Sequence, residues 1–176
     1  MKSNKFLIVI DMQNDFVSGP LGTPEARAII PNVVKKIEKY RNYDADIIFT
    51  KDTHYDNYLN TQEGLNLPIE HCKHLSFGWK LIPEISFIGT PLDIIVNKNQ
   101  FGVGRWHEIL PKNTSQIELI GLCTDICVIS NALILKTQFP EALISVDASC
   151  CAGITPETHK KALEIMKMNQ IKVIGE

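Results

Sequence analysis

The sequence predicts an α/β protein, a three-layer sandwich in which helices cover both faces of a central, mostly parallel sheet. Short apolar runs typical of buried parallel strands alternate along the chain with segments that carry helix-start signals. This alternation favours parallel strands joined by helical crossovers. With 176 residues, of which 44% are hydrophobic, the chain has the size and composition of one domain, and no linker-like or repeated segment divides residues 1–176.

The first half of the chain contains three predicted strands and a helix. Residues 6–10 form an unbroken apolar run that ends at Asp11, the pattern of a central strand buried on both faces. Residues 23–25 combine a Thr cap, a Pro and an acid, and they predict a helix whose apolar positions continue to Ile37. The next strands are predicted at residues 45–50 and 92–96.

The segment of residues 53–84 interrupts this alternation. It carries polar, aromatic and histidine side chains without clear periodicity. A loop of this length within a compact domain is usually functional or disordered, and the aromatic and apolar content of this one argues against disorder. The elements predicted elsewhere in the second half are a strand at 117–120 before Gly121, a helix over 125–138, a strand at 142–146 before Asp147, a helix from 155 and a strand at 171–174.

Charge and hydropathy exclude several classes of partner. The chain has 18 Lys and Arg against 20 Asp and Glu, without a basic cluster, so we expect neither a nucleic-acid nor an anionic-membrane surface. The apolar run before Asp11 is shorter than the roughly 7–15 residues of a signal peptide core, and no run approaches the about 20 residues of a membrane span. We therefore expect a cytoplasmic protein whose partner is a small molecule or another copy of the chain.

The five cysteines are an odd number without a disulfide framework, so we expect free thiols, metal ligands or a nucleophile. Most of them should be small buried residues, and the adjacent pair Cys150 and Cys151 fits that interpretation. Cys72 could ligate a soft metal, but a packing role is the simpler interpretation. Cys123 and Cys127 are spaced C-x-x-x-C, which gives poor support to a redox protein.

Reactive side chains follow several of the predicted strands. Asp11 follows the first strand, Asp52 and His54 the second, and Lys98 the third, whereas Cys127 lies beyond Gly121 where a strand gives way to a helix. Ligands of open α/β sheets bind at the carboxyl ends of the strands. Four segments of the chain are therefore predicted to deliver reactive groups to one edge of the sheet.

These groups suit nucleophilic catalysis. A thiol near a helix N-terminus is favoured as a thiolate, and backbone N–H groups there can stabilise an oxyanion. Asp11 could accept the proton of Cys127 and return it to a leaving amine, while Lys98 could stabilise the carboxylate and the developing negative charge.

Three segments resemble the isochorismatase-like cysteine hydrolases, in the order expected for that family. Residues 7–17 (LIVIDMQNDFV) resemble its opening signature, residues 96–101 its lysine segment, and residues 121–128 (GLCTDICV) its nucleophile loop. The resemblance implies a parallel-sheet fold, a catalytic triad of Asp11, Lys98 and Cys127, and a homo-oligomer. It also implies a non-proline cis peptide at Leu122–Cys123, with the backbone N–H groups of Cys123 and Cys127 directed at the oxyanion.

The Asp52-x-His54 pair and the later His71 form a three-ligand set for a divalent metal. The nicotinamidase and pyrazinamidase branch of the family has these ligands, whereas the plain isochorismatase branch generally lacks them. The resemblance therefore implies one metal ion per chain, with zinc as our first expectation and iron or manganese as alternatives. His74 could share a helical face with His71, but we expect it outside the metal site.

The resemblance implies an amidase that hydrolyses nicotinamide to nicotinate and ammonia through a cysteine thioester. The aromatic that many nicotinamidases carry shortly before the second histidine is missing here, so another ring must contact the substrate. Phe16 and Phe101 are the best candidates by position, ahead of Tyr55 and Trp79. The alternatives are a metal-independent hydrolase of another small amide, ureido or ether compound, and a catalytically silent binding protein.

Overall fold

Six parallel strands form the central sheet in the computed structural model, which describes residues 4–43 and 45–176. The order of the strands is β3-β2-β1-β4-β5-β6, and each of the five neighbouring pairs is parallel. The predicted α/β class is confirmed, and the sheet is fully parallel within the described ranges. The strands are β1 (Lys5–Ile10), β2 (Asp46–Asp52), β3 (Ile94–Lys98), β4 (Gln116–Leu122), β5 (Leu143–Ala152) and β6 (Lys172–Ile174).

Helices lie on both faces of the sheet, and each face has its own apolar core. Along β1, Ile8 and Ile10 point into one core while Leu7 and Val9 point into the other, as the two-residue period of a strand dictates. The first core is closed by α6, α7 and α8, and the second by α1, α2, α3 and α5. The helices are α1 (Asn14–Val17), α2 (Pro24–Ala28), α3 (Ile30–Arg41), α4 (Gln62–Asn66), α5 (Pro83–Ser86), α6 (Trp106–Ile109), α7 (Ile129–Gln138) and α8 (Pro156–Met168).

Two of the predicted elements are wrong in their extent. The helix that starts after Thr23 is divided into α2 and α3 at Ile29, because Pro31 has no backbone N–H and occupies the first turn of a new helix. The strand predicted to end before Asp147 continues to Ala152. Asp147 is accommodated inside β5 because its carboxylate pairs with Lys36 and accepts a hydrogen bond from Ser149.

The segment of residues 53–84 is ordered by contacts to the sheet edge, although it contains little regular structure. Besides α4 and α5 it has one 3₁₀ turn at Tyr58–Asn60, and single bridges join His54 to Lys73 and Gln13 to Leu81. Its position over the carboxyl ends of β1 and β2 makes it one wall of the candidate active site. Within residues 4–43 and 45–176, no helix combines the length and the apolar character that crossing a bilayer would require.

Candidate active site

Asp11, Lys98 and Cys127 meet at the carboxyl edge of the sheet, and together they are called the proton-transfer centre below. Lys98 Nζ lies 2.7 Å from Asp11 Oδ2 and 3.6 Å from Cys127 Sγ. The three residues are between 0% and 6% exposed, so water screens their charges poorly. The structure thus brings together the three side chains that the sequence singled out for catalysis.

Asp11 leaves β1 in a left-handed conformation, with φ of 48°, which turns its side chain across the strand ends. The Thr50 hydroxyl of the neighbouring β2 donates to Asp11 Oδ1 at 2.6 Å and accepts from the Asp11 N–H at 3.2 Å. Asp11 Oδ2 contacts Lys98 but has no well-aligned hydrogen bond, so it retains capacity to accept a proton. Burial raises the pKa of Asp11, and the Lys98 charge opposes that rise.

Thr50 was not among the residues expected at the site. Its signal in the sequence is a polar side chain within the apolar run of β2, a position that is 0% exposed in the structure. A buried hydroxyl needs a partner, and this one fixes the rotation of the Asp11 carboxylate.

Lys98 is the last residue of β3, and its ammonium is held by carboxylates on two neighbouring strands. Asp11 Oδ2 is its nearest partner, and Asp52 Oδ1 lies 3.5 Å away. Burial lowers the pKa of Lys98, but the charges of Asp11, Cys127 and Asp52 outweigh burial and leave the pKa above its ordinary value. Lys98 therefore stays a cation beside the thiol.

Cys127 lies in a single π-helical turn, Thr124–Val128, that precedes α7. Burial raises the pKa of the Cys127 thiol well above its usual value, and the Asp11 carboxylate raises it further while Lys98 lowers it. Burial and Asp11 therefore oppose the thiolate that the position before α7 was expected to favour. The resting thiol keeps its proton and needs a neighbouring base to become a nucleophile.

The non-proline cis peptide expected at Leu122–Cys123 is present at the end of β4. Just before it, Gly121 has a φ of 113°, and a Cβ there would lie 2.1 Å from the Ile10 carbonyl oxygen. Only glycine allows β4 to approach the end of β1 this closely. The use of the Cys123 and Cys127 N–H groups as oxyanion donors stays a prediction.

A second group of side chains, called the metal cluster below, consists of Asp52, His54, Glu63 and His71. One ligand atom from each residue lies within 4.8 Å of the corresponding atoms of the others. Asp52 Oδ2 lies 2.9 Å from His54 Nε2 and 3.4 Å from His71 Nε2, and Glu63 Oε1 lies 3.6 Å and 3.7 Å from the same two nitrogens.

This donor set fits a divalent metal ion. Two imidazoles and two carboxylates are ligands that zinc, iron and manganese accept. His71 Nδ1 lies 2.8 Å from the Ile69 carbonyl oxygen, an arrangement that directs Nε2 into the cluster. Although burial raises the pKa of Asp52, the hydrogen bonds from His54 and His71 and the Lys98 charge hold it below its ordinary value, so the carboxylate is available as an anionic ligand.

The sequence did not identify Glu63 as a candidate metal ligand, because it lies in α4, a five-residue helix inside a segment without periodicity. Nothing in its spacing relative to His54 or His71 marks it as a ligand. Two Thr61 contacts place it: the Thr61 hydroxyl caps the N–H of Gly64 at 3.1 Å and donates to the Tyr58 carbonyl oxygen at 2.7 Å. Burial raises the pKa of Glu63, and the Asp52 charge adds to this effect.

A cavity of about 210 Å³ connects the proton-transfer centre to the metal cluster. Cys127 of the proton-transfer centre lines it, and so do Asp52, Glu63 and His71 of the metal cluster. Both Phe16 and Phe101 line it as well, and the Phe16 ring centroid is 5.5 Å from that of His71. Phe101 and Ile154 line the cavity while remaining 47% and 54% exposed.

The other aromatic and histidine candidates lie outside this cavity. His74 is exposed, and its ring contacts Tyr55 and Trp79 instead of the metal cluster. Trp79 donates its ring N–H to Thr53 Oγ1 at 2.8 Å. Cys72, Cys150 and Cys151 are buried free thiols, in agreement with their predicted packing roles.

The match to known proteins agrees with this geometry. The model of the Isochorismatase domain matches residues 5–175. The nicotinamidase of Saccharomyces cerevisiae is 25% identical over 221 residues, covering 98% of this chain and 100% of that protein.

Solved structures are similar over nearly the whole chain. The zinc complex of the Pyrococcus horikoshii pyrazinamidase has a TM-score of 0.87 and 28% identity, covering 99% of this chain and 100% of that one. A Bacillus subtilis nicotinamidase has a TM-score of 0.85 and 25% identity, covering 98% and 99%. The N-carbamoylsarcosine amidase of Thermoplasma acidophilum has a TM-score of 0.80 and 26% identity, covering 99% and 96%. The chain belongs to the isochorismatase family of hydrolases and is similar to the nicotinamidases within it.

Proposed function

We propose that this protein is a cysteine amidase that hydrolyses nicotinamide to nicotinate and ammonia. The observation that carries the proposal is that Cys127 lines the same cavity as Asp52, Glu63 and His71 of the metal cluster. A small ring held at one end of the cavity would present its carboxamide carbon to the thiol at the other end. Holding both groups in one enclosed space supplies the positioning on which such reactions depend.

The proton-transfer centre would carry the covalent chemistry. Asp11 accepts the thiol proton as Cys127 Sγ attacks the carboxamide carbon, and the tetrahedral oxyanion forms beside Lys98 and the backbone of the π turn. Asp11 then returns the proton to the leaving nitrogen, and ammonia departs from a thioester. Water hydrolyses the thioester with Asp11 as general base, which regenerates the thiol and the protonation state of the carboxylate.

Asp52, His54, Glu63 and His71 would hold a divalent metal ion, with zinc as our first expectation and iron or manganese as alternatives. When bound, the ion would act as a Lewis acid toward the ring nitrogen of the substrate. The similarity to a pyrazinamidase in complex with zinc supports this assignment. The rings of Phe16 and Phe101 would contact the faces of the bound substrate ring.

The charge of the cavity favours a neutral substrate. Its described lining contains the acids Asp52 and Glu63 but neither lysine nor arginine, and the charge of the nearby Lys98 is already paired with Asp11. An anionic substrate such as isochorismate would meet carboxylates without a protein cation to pair with. The similarity to the N-carbamoylsarcosine amidase keeps a small ureido substrate as the second candidate.

The test measures ammonia release by the purified wild type and by Cys127→Ala. Each protein is assayed twice, once after treatment with a chelator and once after loading with zinc. Nicotinamide, pyrazinamide and N-carbamoylsarcosine are supplied separately. We expect release from the two ring amides by the metal-loaded wild type alone. Release from N-carbamoylsarcosine only, or equal release after chelation, would refute the proposed substrate or the proposed metal requirement respectively.

A further inference from the structure

The buried side chain of Gln13 forms hydrogen bonds to the main chain of Asp52, a residue of the metal cluster. It takes no part in the proposed chemistry. It is 0% exposed and follows Asp11 by two residues. Gln13 Oε1 accepts from the Asp52 N–H at 2.7 Å, and Gln13 Nε2 donates to the Asp52 carbonyl oxygen at 2.8 Å. Gln13 Nε2 also donates to the Trp79 carbonyl oxygen at 2.9 Å.

The hydrogen bonds of the Gln13 side chain take the place of main-chain hydrogen bonds that β1 would otherwise make to Asp52. The β1–β2 ladder ends at Val9 and Phe49, and the chain turns away at Asp11, so β1 itself offers no partner to the peptide of Asp52. On the other side of β2, Asp52 is paired in register with Lys98 of β3. The amide of Gln13 therefore completes the second side of the ladder at the residue where a metal ligand leaves the sheet.

Asp15 likewise forms a side-chain hydrogen bond to the main chain next to a second metal-cluster residue, His71. Asp15 Oδ2 accepts from the Cys72 N–H at 2.7 Å, one residue beyond His71. Gly78 packs against the same carboxylate so closely that a Cβ there would lie 2.0 Å from Asp15 Oδ2. The segment of residues 13–15 thus touches the main chain beside ligands that are 19 residues apart in sequence, Asp52 and His71.

We infer that Gln13 and Asp15 are positioning residues that set the separation of Asp52 and His71 before a metal binds. The inference rests on the proposed metal site. A site whose ligands are already correctly spaced loses less conformational entropy when the ion binds. Loss of hydrogen bonds to the residues that carry metal ligands commonly weakens metal affinity by about 10–100-fold. Because this segment starts only two residues after Asp11, it also connects the metal cluster to the proton-transfer centre along the chain.

Asn14 provides the matched control. It lies between the two positioning residues, is 5% exposed, and donates from Nδ2 to the carbonyl oxygens of Phe77 and Lys80 at 2.9 Å and 3.1 Å. It therefore holds the same loop with two comparable hydrogen bonds but bonds to no peptide next to a metal ligand.

The experiment measures the zinc dissociation constant of the chelator-treated full chain by competition with a chromogenic chelator, independently of activity. We expect Gln13→Met and Asp15→Ala each to weaken zinc binding about tenfold or more. Asp15→Asn keeps an acceptor for the Cys72 N–H, so we expect it, like Asn14→Leu, to stay within about threefold of the wild type. Thermal unfolding of each variant verifies its fold, and the two Asp15 variants suffice if Gln13→Met does not fold.

The inference is overturned if the Gln13 and Asp15 variants bind zinc as tightly as the wild type. It is equally overturned if Asn14→Leu weakens binding as much as they do, because the effect would then be a general loosening of the loop. Absence of zinc binding by the wild type would refute the metal site and this inference together, whereas tight binding by every variant refutes the inference alone.

Discussion

The two halves of the candidate site are built in different ways. The proton-transfer centre stands on the ends of regular elements, because Asp11 follows β1, Lys98 ends β3 and Cys127 lies directly before α7. In the metal cluster only Asp52 belongs to a strand, whereas Glu63 and His71 come from the segment of residues 53–84. The sheet positions the first half, whereas side-chain hydrogen bonds from Gln13 and Asp15, which follow β1, reach the main chain of the second.

Because the two halves are built differently, we expect substitutions in one half to leave the properties of the other half unchanged, although the two are close together. Asp52 forms an ion pair between the two halves, because its Oδ1 lies 3.5 Å from Lys98 Nζ while its Oδ2 lies 2.9 Å from His54 Nε2. Changes in one half should therefore alter nucleophile chemistry, and changes in the other should alter metal affinity.

The largest expected effect comes from Cys127→Ala, which removes the nucleophile. Loss of an attacking group that acts together with its base typically lowers kcat by several orders of magnitude, so we expect a decrease of at least about 10³-fold. Zinc affinity, measured by chelator competition, should stay within about threefold of the wild type because Cys127 is not one of the four cluster residues. Weakened zinc binding by this variant would contradict the separation of the two halves.

Lys98→Met should lower kcat by about 10²–10³-fold, because it removes a buried cation beside the developing oxyanion. It should also move the acid limb of the pH profile of kcat/KM to higher pH. The Lys98 charge lowers the pKa of Asp11 against the effect of burial, so its removal raises that pKa further. Asp11 acts as a base only when ionised, and activity is therefore lost at a higher pH as the pH falls.

The control for this shift is Lys51→Met. Lys51 lies on β2, the strand beside β3, but its ammonium lies over the Trp79 ring at 3.0 Å and makes no ion pair with Asp11. The acid limb should keep its position in that variant. An unmoved limb in Lys98→Met would show that Asp11 is not the group that titrates.

The same difference explains what the sequence could predict. Asp11, Asp52 and Lys98 are polar residues that terminate apolar runs, and parallel strands bring such residues to one edge without further information. Glu63 has no comparable signal, because its place depends on how α4 packs over the sheet. The π turn at Cys127 and the division of the helix at Pro31 likewise depend on local geometry that helical periodicity does not specify.

Glu63→Gln tests the ligand that the sequence did not reveal. Replacing an anionic ligand by a neutral amide of the same shape should weaken zinc binding about tenfold, while the alkylation rate of Cys127 in the metal-free protein stays unchanged. Glu70→Gln is the matched control, because Glu70 belongs to the same segment but pairs with the surface residue Lys73. Equal zinc affinities for the two variants would remove Glu63 from the metal cluster.

The smallest expected effect concerns the link between the nucleophile turn and α8. Asp125 lies in the π turn, and its carboxylate accepts from the Ile154 N–H, at 3.0 Å and 3.2 Å, and from the Thr158 hydroxyl. Asp125→Ala should lower the free energy of unfolding by about 1–2 kcal/mol, the usual cost of a lost charge-assisted hydrogen bond at a helix start.

Urea denaturation of Asp125→Ala and Glu157→Ala measures this cost. Glu157 is exposed in the first turn of α8 and makes only an i,i+4 pair with Lys161 among the ion pairs of the described residues, so its removal should cost clearly less. Because Asp125 supports the turn but touches neither Asp11 nor the metal cluster, zinc affinity should be unchanged in both variants. If the two variants lose equal stability, the turn that carries Cys127 is held by β4 and α7, and its contact with α8 contributes nothing to its order.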